Sequence, residues 1–111
     1  MKKYLAVFVA PIEAYDKMKA ANATKSPEEK KASMDTWMKW MDAHKADFVD
    51  NGGGVGSAKR VTKEGITDIR NEIGGYMIVQ AENIDAAAKI FLDSPEDMEG
   101  ARIEVMEIMS M

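Results

Sequence analysis

An α+β fold built on one four-stranded antiparallel sheet is predicted by three observations. The patterned segments follow one another as strand, helix, strand, strand, helix, strand. Two of the strand segments, Tyr4 to Ala10 and Gly74 to Ala81, are apolar on both alternating sets, as strands buried on two sides are. Between them Ser26-Pro27-Glu28-Glu29 opens a long amphipathic segment. At 111 residues and 46% hydrophobic content the chain is expected to form a single domain over residues 1–111.

Tyr4, Ala6 and Phe8 alternate with Leu5, Val7 and Val9 in the first strand, and Pro11 ends it. Lys2 and Lys3 before this run mimic a signal peptide, but Pro11, Glu13 and Asp16 follow without a small-residue cleavage site, so the run is read as a strand. Ile12 to Ala21 is expected as a short, weak helix or ordered loop. Ser26 is a capping hydroxyl, Pro27 stands at N1 and Glu29 at N3, so a helix is predicted from Pro27 to about Val49. Met34, Trp37, Met38, Met41, His44 and Phe48 share one arc of that helix, which is expected to face the core. Asp35, Lys39, Asp42 and Asp47 lie away from it.

Asn51 to Gly54 is expected to stop this helix, and Val55 to Val61, polar and glycine-containing, reads as an edge strand. Residues Lys63 to Asn71 form a hairpin connection longer than a tight turn. Gly74 to Ala81 is the return strand. Asn83 caps a second helix from Ile84 to Leu92 with Ile84, Ala87, Ala88 and Phe91 buried, Ser94-Pro95 stops it, and Ala101 to Met109 is the last strand. The order is β-α-β-β-α-β, ferredoxin-like, with the helices expected on one sheet face.

That arrangement leaves a burial problem. Two helices cover one face of a four-stranded sheet, yet the first and third strands are apolar on both. A homodimer through the helix-free sheet face is therefore expected, two sheets meeting face to face.

Fifteen basic and nineteen acidic side chains give a net charge of -4, which argues against nucleic acid or an anionic membrane as a partner. No apolar run approaches the roughly 20 residues of a bilayer span. Lys59, Arg60 and Lys63 lack interleaved aromatics and read as a solvated hairpin tip. The chain has no cysteine, hence no thiol nucleophile or thiolate metal site, and its single histidine gives no metal-ligand spacing; no metal and no cofactor are expected, and a cytoplasmic location is. Gly52-Gly53-Gly54-Val55-Gly56 is not a phosphate loop, because it follows a helix and no Gly-Lys-Ser/Thr accompanies it.

Ser26-Pro27-Glu28-Glu29, the Trp37 and Trp40 spacing, Gly52-Gly53, Gly74-Gly75-Tyr76, Asn83-Ile84-Asp85-Ala86-Ala87, Pro95 and the Gly100 to Met106 stretch with Glu104-Val105 follow in an order that resembles the YCII-related (DGPF) domain. The resemblance runs from about Lys3 to Met109 and implies a dimeric α+β barrel. The family's Asp-Gly-Pro-Phe is absent. The corresponding loop reads Thr67-Asp68-Ile69-Arg70-Asn71-Glu72, in which Asp68 is the match. Some relatives carry a proposed catalytic His and Asp pair, with the His near the start of the long helix; here that region reads Met34-Asp35-Thr36-Trp37, so the pair does not transfer.

His44 is the only side chain whose ordinary pKa lies near neutrality, and it projects on the buried side of the long helix. It is the candidate general acid or base, with Asp68 or Glu72 as its charged partner, and the opposing reading is a partly buried structural histidine. Trp37, Trp40, Tyr4 and Tyr76 are candidate walls for a planar ligand, with Arg70 as a polar contact; core packing is the alternative, above all for Trp37. Trp40, at the edge of the stripe, is expected as the ligand or interface residue. Met34, Met38 and Met41 read as adaptable core filling. The expected function is binding of a small organic molecule between sheet and long helix of a homodimer. Cofactor-independent acid/base catalysis is open, and the alternatives are a non-catalytic binding module or a pure association domain.

Overall fold

Residues 1–110 are described by the computed structural model of the chain. The main sheet is four-stranded and antiparallel, built from β1 (Lys2–Val9), β2 (Phe48–Gly54), β5 (Ile73–Ala81) and β6 (Arg102–Glu107) in the order β2-β5-β1-β6. A second sheet pairs only β3 (Ala58–Thr62) with β4 (Gly65–Ile69). Three helices, α1 (Ile12–Thr24), α2 (Pro27–Ala43) and α3 (Ile84–Lys89), complete an α+β chain. Among the described residues no helix is long and apolar enough to cross a membrane.

The two apolar strands sit in the middle, as two-sided burial demands. Tyr4 faces Val79, Ala6 faces Met77 and Val105, and Phe8 faces Gly75 and Ile103, so one face of the sheet presents a continuous apolar patch. The core forms on it, with Trp40 of α2, Ala87 of α3 and Phe91 packed against Tyr4, Ala6 and Val79. Leu5, Val7, Ile78, Tyr76 and Met106 point to the opposite face, which carries neither α2 nor α3.

Local chemistry explains the helix starts. Glu29 N donates to Ser26 Oγ at 3.2 Å with Pro27 at N1, and Ala86 N donates to Asn83 Oδ1 at 2.8 Å. The segment after Pro11, expected as a short, weak helix or ordered loop, is a helix of 13 residues, because alanine, methionine and lysine favour helix without needing a buried stripe.

The long helix departs from expectation at its end. It stops at Ala43, His44 N reaches back to Trp40 O and Met41 O, and a 3-10 turn at Lys45–Asp47 leads directly into β2. Phe48 and Val49, an aromatic and a β-branched residue, join the edge of β5, Phe48 opposite Val79, instead of extending the helix. Asn51 to Gly54 is therefore strand, not a helix stop. The expected strand from Val55 to Val61 is divided: the sheet edge is β2, and residues 58–62 belong to the separate hairpin. Its connection is a two-residue turn, Lys63 and Glu64, not a long loop.

The buried stripes shift as well. Residues 27–36 of α2 are all exposed, and Met34 and Met38 stand 63% and 56% open instead of filling the core. Trp40 is the deeply buried residue of the helix, because only its last two turns cross the sheet. In α3 the helix closes at Lys89 and the following turn aims Ile90 and Phe91 inward, which leaves Ile84 and Ala88 exposed. The last strand ends at Glu107, two residues before the expected boundary.

The chain forms a slab with extents of 45 × 43 × 20 Å and a radius of gyration of 15.7 Å. A compact chain of this length has a radius near 13 Å. It exposes 8,199 Å² where about 6,100 Å² is usual for its mass, roughly 2,100 Å² more.

Candidate functional site

The last turn of α2 and the turn after α3 bring four groups together. Trp40 Nε1 donates to Asp93 Oδ1 at 3.0 Å, and His44 Nε2 lies 3.1 Å from Oδ1 and 3.3 Å from Oδ2 of the same carboxylate. Asp47 Oδ2 lies 3.7 Å from His44 Nδ1. The helical wheel turned Asp47 away from His44; the early helix end and the 3-10 turn swing it back. Trp40 stacks obliquely on His44, Phe48 and Phe91 with ring centroids 5.5 to 5.6 Å apart, while Phe8 and Trp37 meet edge to face at 5.8 Å.

The indole N–H of Trp40, and then His44, hold the Asp93 carboxyl below its ordinary value of 3.8. A carboxyl depressed in the folded state adds stability above its ordinary pKa, and that contribution is lost as pH falls through the folded value. Asp93→Asn is therefore expected to shrink the loss of stability between pH 5 and pH 3 relative to the parent chain, read from urea midpoints at the two pH values. An equal loss in both proteins would remove the carboxylate from the balance.

The expected partners of His44 are elsewhere. Phe48 pairs with Val79 and Gln80 Nε2 donates to Ala46 O, so the histidine turn sits beside the C-terminal end of β5. Glu72 precedes its N-terminal end, and eight residues of strand separate Glu72 from Gln80 by roughly 25 Å. Asp68 lies on β4, ion-paired with Lys59. Neither acid is brought to His44; Asp93 takes that place.

Nor is the expected aromatic wall assembled. Tyr4 is 2% and Trp40 6% exposed, both in the core, and Trp37 is half-buried between Phe8 and Trp40. Tyr76, opposite Val7, is on the other face of the sheet. Trp40, expected at an edge, is the centre of the aromatic cluster, and five rings take up the space between long helix and sheet in which a pocket was expected.

The larger opening lies at the other end of β5, a cleft of about 1,110 Å³ between α1 and the base of the β3–β4 hairpin. Tyr15, Asp16, Lys19, Lys59, Asp68 and Arg70 are the titratable side chains of its lining. Arg70 grips Asp16 with both terminal nitrogens, at 2.8 and 3.4 Å, and that hydrogen bonding draws the Asp16 carboxyl down and the guanidinium up. Tyr15 OH donates to Glu72 O at 2.8 Å, and burial pushes its phenol up. Gly74 lets Tyr15 lie close against the strand, since a Cβ there would sit 2.5 Å from the Tyr15 hydroxyl and displace the ring. Glu72 itself turns to Arg102, which also binds Glu104 at 3.2 Å. A smaller cleft of about 420 Å³ runs between α3 and β6, past Phe91, Leu92 and Ile103. His44 lines neither.

No protein-family model matches the chain, and no curated protein matches it.

Of the sequence candidates, Asp68 and Arg70 share one cleft, while His44 lies at the far end beside Trp40, away from both expected acids. Asp93, Tyr15, Asp16 and Lys59 were not among them. Asp93 follows a helix stop and carries no spacing signal toward His44. Tyr15 and Asp16 lie in the segment expected to be weakly structured, where polar residues read as solvated.

Proposed function

We propose that the chain is a YCII-related protein of the ferredoxin-like, dimeric α+β barrel type, a homodimer through its helix-free sheet face that holds a small organic molecule. The observation that carries the dimer is the surplus of roughly 2,100 Å² of exposed surface over a compact chain of this mass, beside a sheet face without α2 or α3 on which Leu5, Tyr76 and Ile78 are only half-buried. The β2-β5-β1-β6 order favours the barrel type, because without the hairpin it is the order in which a β-α-β-β-α-β chain places its two outer strands beside its inner pair.

The ligand belongs in the cleft at the hairpin base rather than between sheet and long helix. Arg70 and Lys59 present cations there, each already neutralised by an aspartate, and Lys19 adds a third. A small organic carboxylate exchanging with Asp16 or Asp68 suits this set. A pure association role is favoured by one observation, the ring-filled interior under the long helix.

Light scattering at micromolar concentration is expected to return twice the chain mass of 12.3 kDa. A panel of small carboxylic acids is expected to raise the melting temperature of the parent chain but not of Arg70→Ala. A lone chain mass overturns the dimer. An unshifted melting temperature across the panel overturns the ligand and leaves the association role; product detected by mass spectrometry and abolished by His44→Gln would make the protein an enzyme.

A further inference from the structure

The β3–β4 hairpin is a structure without visible support. It shares no strand pairing with the main sheet, and along its length only Ala58 and Ile69, at its base, are even half-buried. Arg70, just beyond β4, ties that base to Asp16 of α1. From there five paired residues carry the hairpin roughly 17 Å outward. Near its tip Val61 and Ile66 are direct cross-strand neighbours, 72% and 66% exposed. Two-stranded hairpins are marginal in water on their own, and an aliphatic cross-strand pair left in solvent gives up most of the stabilisation such a pair supplies when covered.

Surface area indicates what covers it. Four strands about 4.8 Å apart and six residues long form a face of roughly 400 Å², about 800 Å² of accessible surface once side-chain relief is counted. Stacking two such faces accounts for less than half of the roughly 2,100 Å² by which each chain exceeds a compact body. The hairpin stands off the main sheet, as the first ten residues of α2 do, and it carries two exposed aliphatic side chains directly opposite each other.

We infer that the β3–β4 hairpin is an arm that seats on the second copy of this chain, burying Val61 and Ile66 in the dimer. The inference rests on the homodimer proposed above and adds its second contact. Because the arm base also forms one wall of the cleft through Lys59, Asp68 and Arg70, docking of the arm fixes that wall in place. The cleft is then complete only in the dimer.

The test compares the parent chain with Val61→Asp/Ile66→Asp and with the milder Val61→Ala/Ile66→Ala. Both pairs lie on exposed positions far from Trp37 and Trp40, so tryptophan fluorescence reports whether each variant is folded. The dimer dissociation constant from sedimentation is expected to rise at least about tenfold for the aspartate pair and by less for the alanine pair. Hydrogen exchange of the arm amides, residues 59–62 and 65–68, is expected to slow as the parent chain is concentrated through its dissociation constant. A parent chain that dimerises while the variants keep its dissociation constant and the arm amides exchange equally fast at every concentration overturns the arm and leaves the dimer standing. A parent chain that is monomeric throughout overturns both.

Discussion

Replacing Trp40 with alanine is expected to lower the unfolding free energy by about 3–5 kcal/mol, the range for emptying a buried aromatic site. Trp40 joins both layers of the protein. It is 6% exposed, its ring lies within 5.8 Å of Trp37, His44, Phe48 and Phe91 measured between centroids, and its N–H holds Asp93. Only the last two turns of α2 touch the sheet, so few other side chains of that helix remain to anchor it. Trp40→Phe keeps most of the apolar contact and removes the donor. It is expected to cost a smaller amount, about 1–2 kcal/mol, for the partly filled space and the lost charge-assisted hydrogen bond. Urea unfolding at pH 7 measures both. A loss below about 1 kcal/mol for alanine would mean that the helix is held by something other than this cluster.

The two central strands were legible from their alternation, since Tyr4 to Ala10 and Gly74 to Ala81 are apolar on both sets apart from Gln80. The helix starts were legible too, because a cap is a local bond: Ser26 to Glu29 and Asn83 to Ala86 lie three residues apart. The end of the long helix was not. Its wheel ran on smoothly to Phe48, and what stops it is a partner 31 residues away, the Phe48 register with Val79. Tertiary pairing overrides a periodic pattern wherever the same residue serves both.

The candidate site failed for a related reason. His44 was singled out by chemistry that belongs to it alone, but its neighbours come from a turn 49 residues on. Asp68 and Glu72 are the densest polar cluster outside a helix, and density is a property of a segment, not of the space around His44. Hence Asp68 and Arg70 do meet across the hairpin base, being close in the chain, while the histidine and its expected acids lie at opposite ends of one strand.

Gly52→Ala is expected to release β2 from β5, whereas Gly53→Ala, one residue on, is expected to be tolerated. The two glycines share a strand and a sequence context but not a conformation. Gly52 has φ +62, where an L side chain already costs about 1–2 kcal/mol. Its added Cβ would overlap the Tyr76 carbonyl oxygen and come within 2.7 Å of the carbonyl carbon, both backbone atoms that cannot rotate aside. A Cβ at Gly53 meets nothing within 4 Å. The bulge around Gly52, fastened by its own N–H to Asp50 Oδ1 at 2.7 Å, carries the second of the two register shifts of β2 against β5. Relieving the overlap means pulling that edge off the sheet, with Phe48 and its contact to Trp40 following. The expected loss is above about 3 kcal/mol for Gly52→Ala and within about 1 kcal/mol for Gly53→Ala. Hydrogen exchange of the β5 amides distinguishes a lost edge from global unfolding, because β5 remains paired with β1 after β2 has left. Equal stabilities for the two variants would show that the edge strand bends without needing a left-handed residue at position 52.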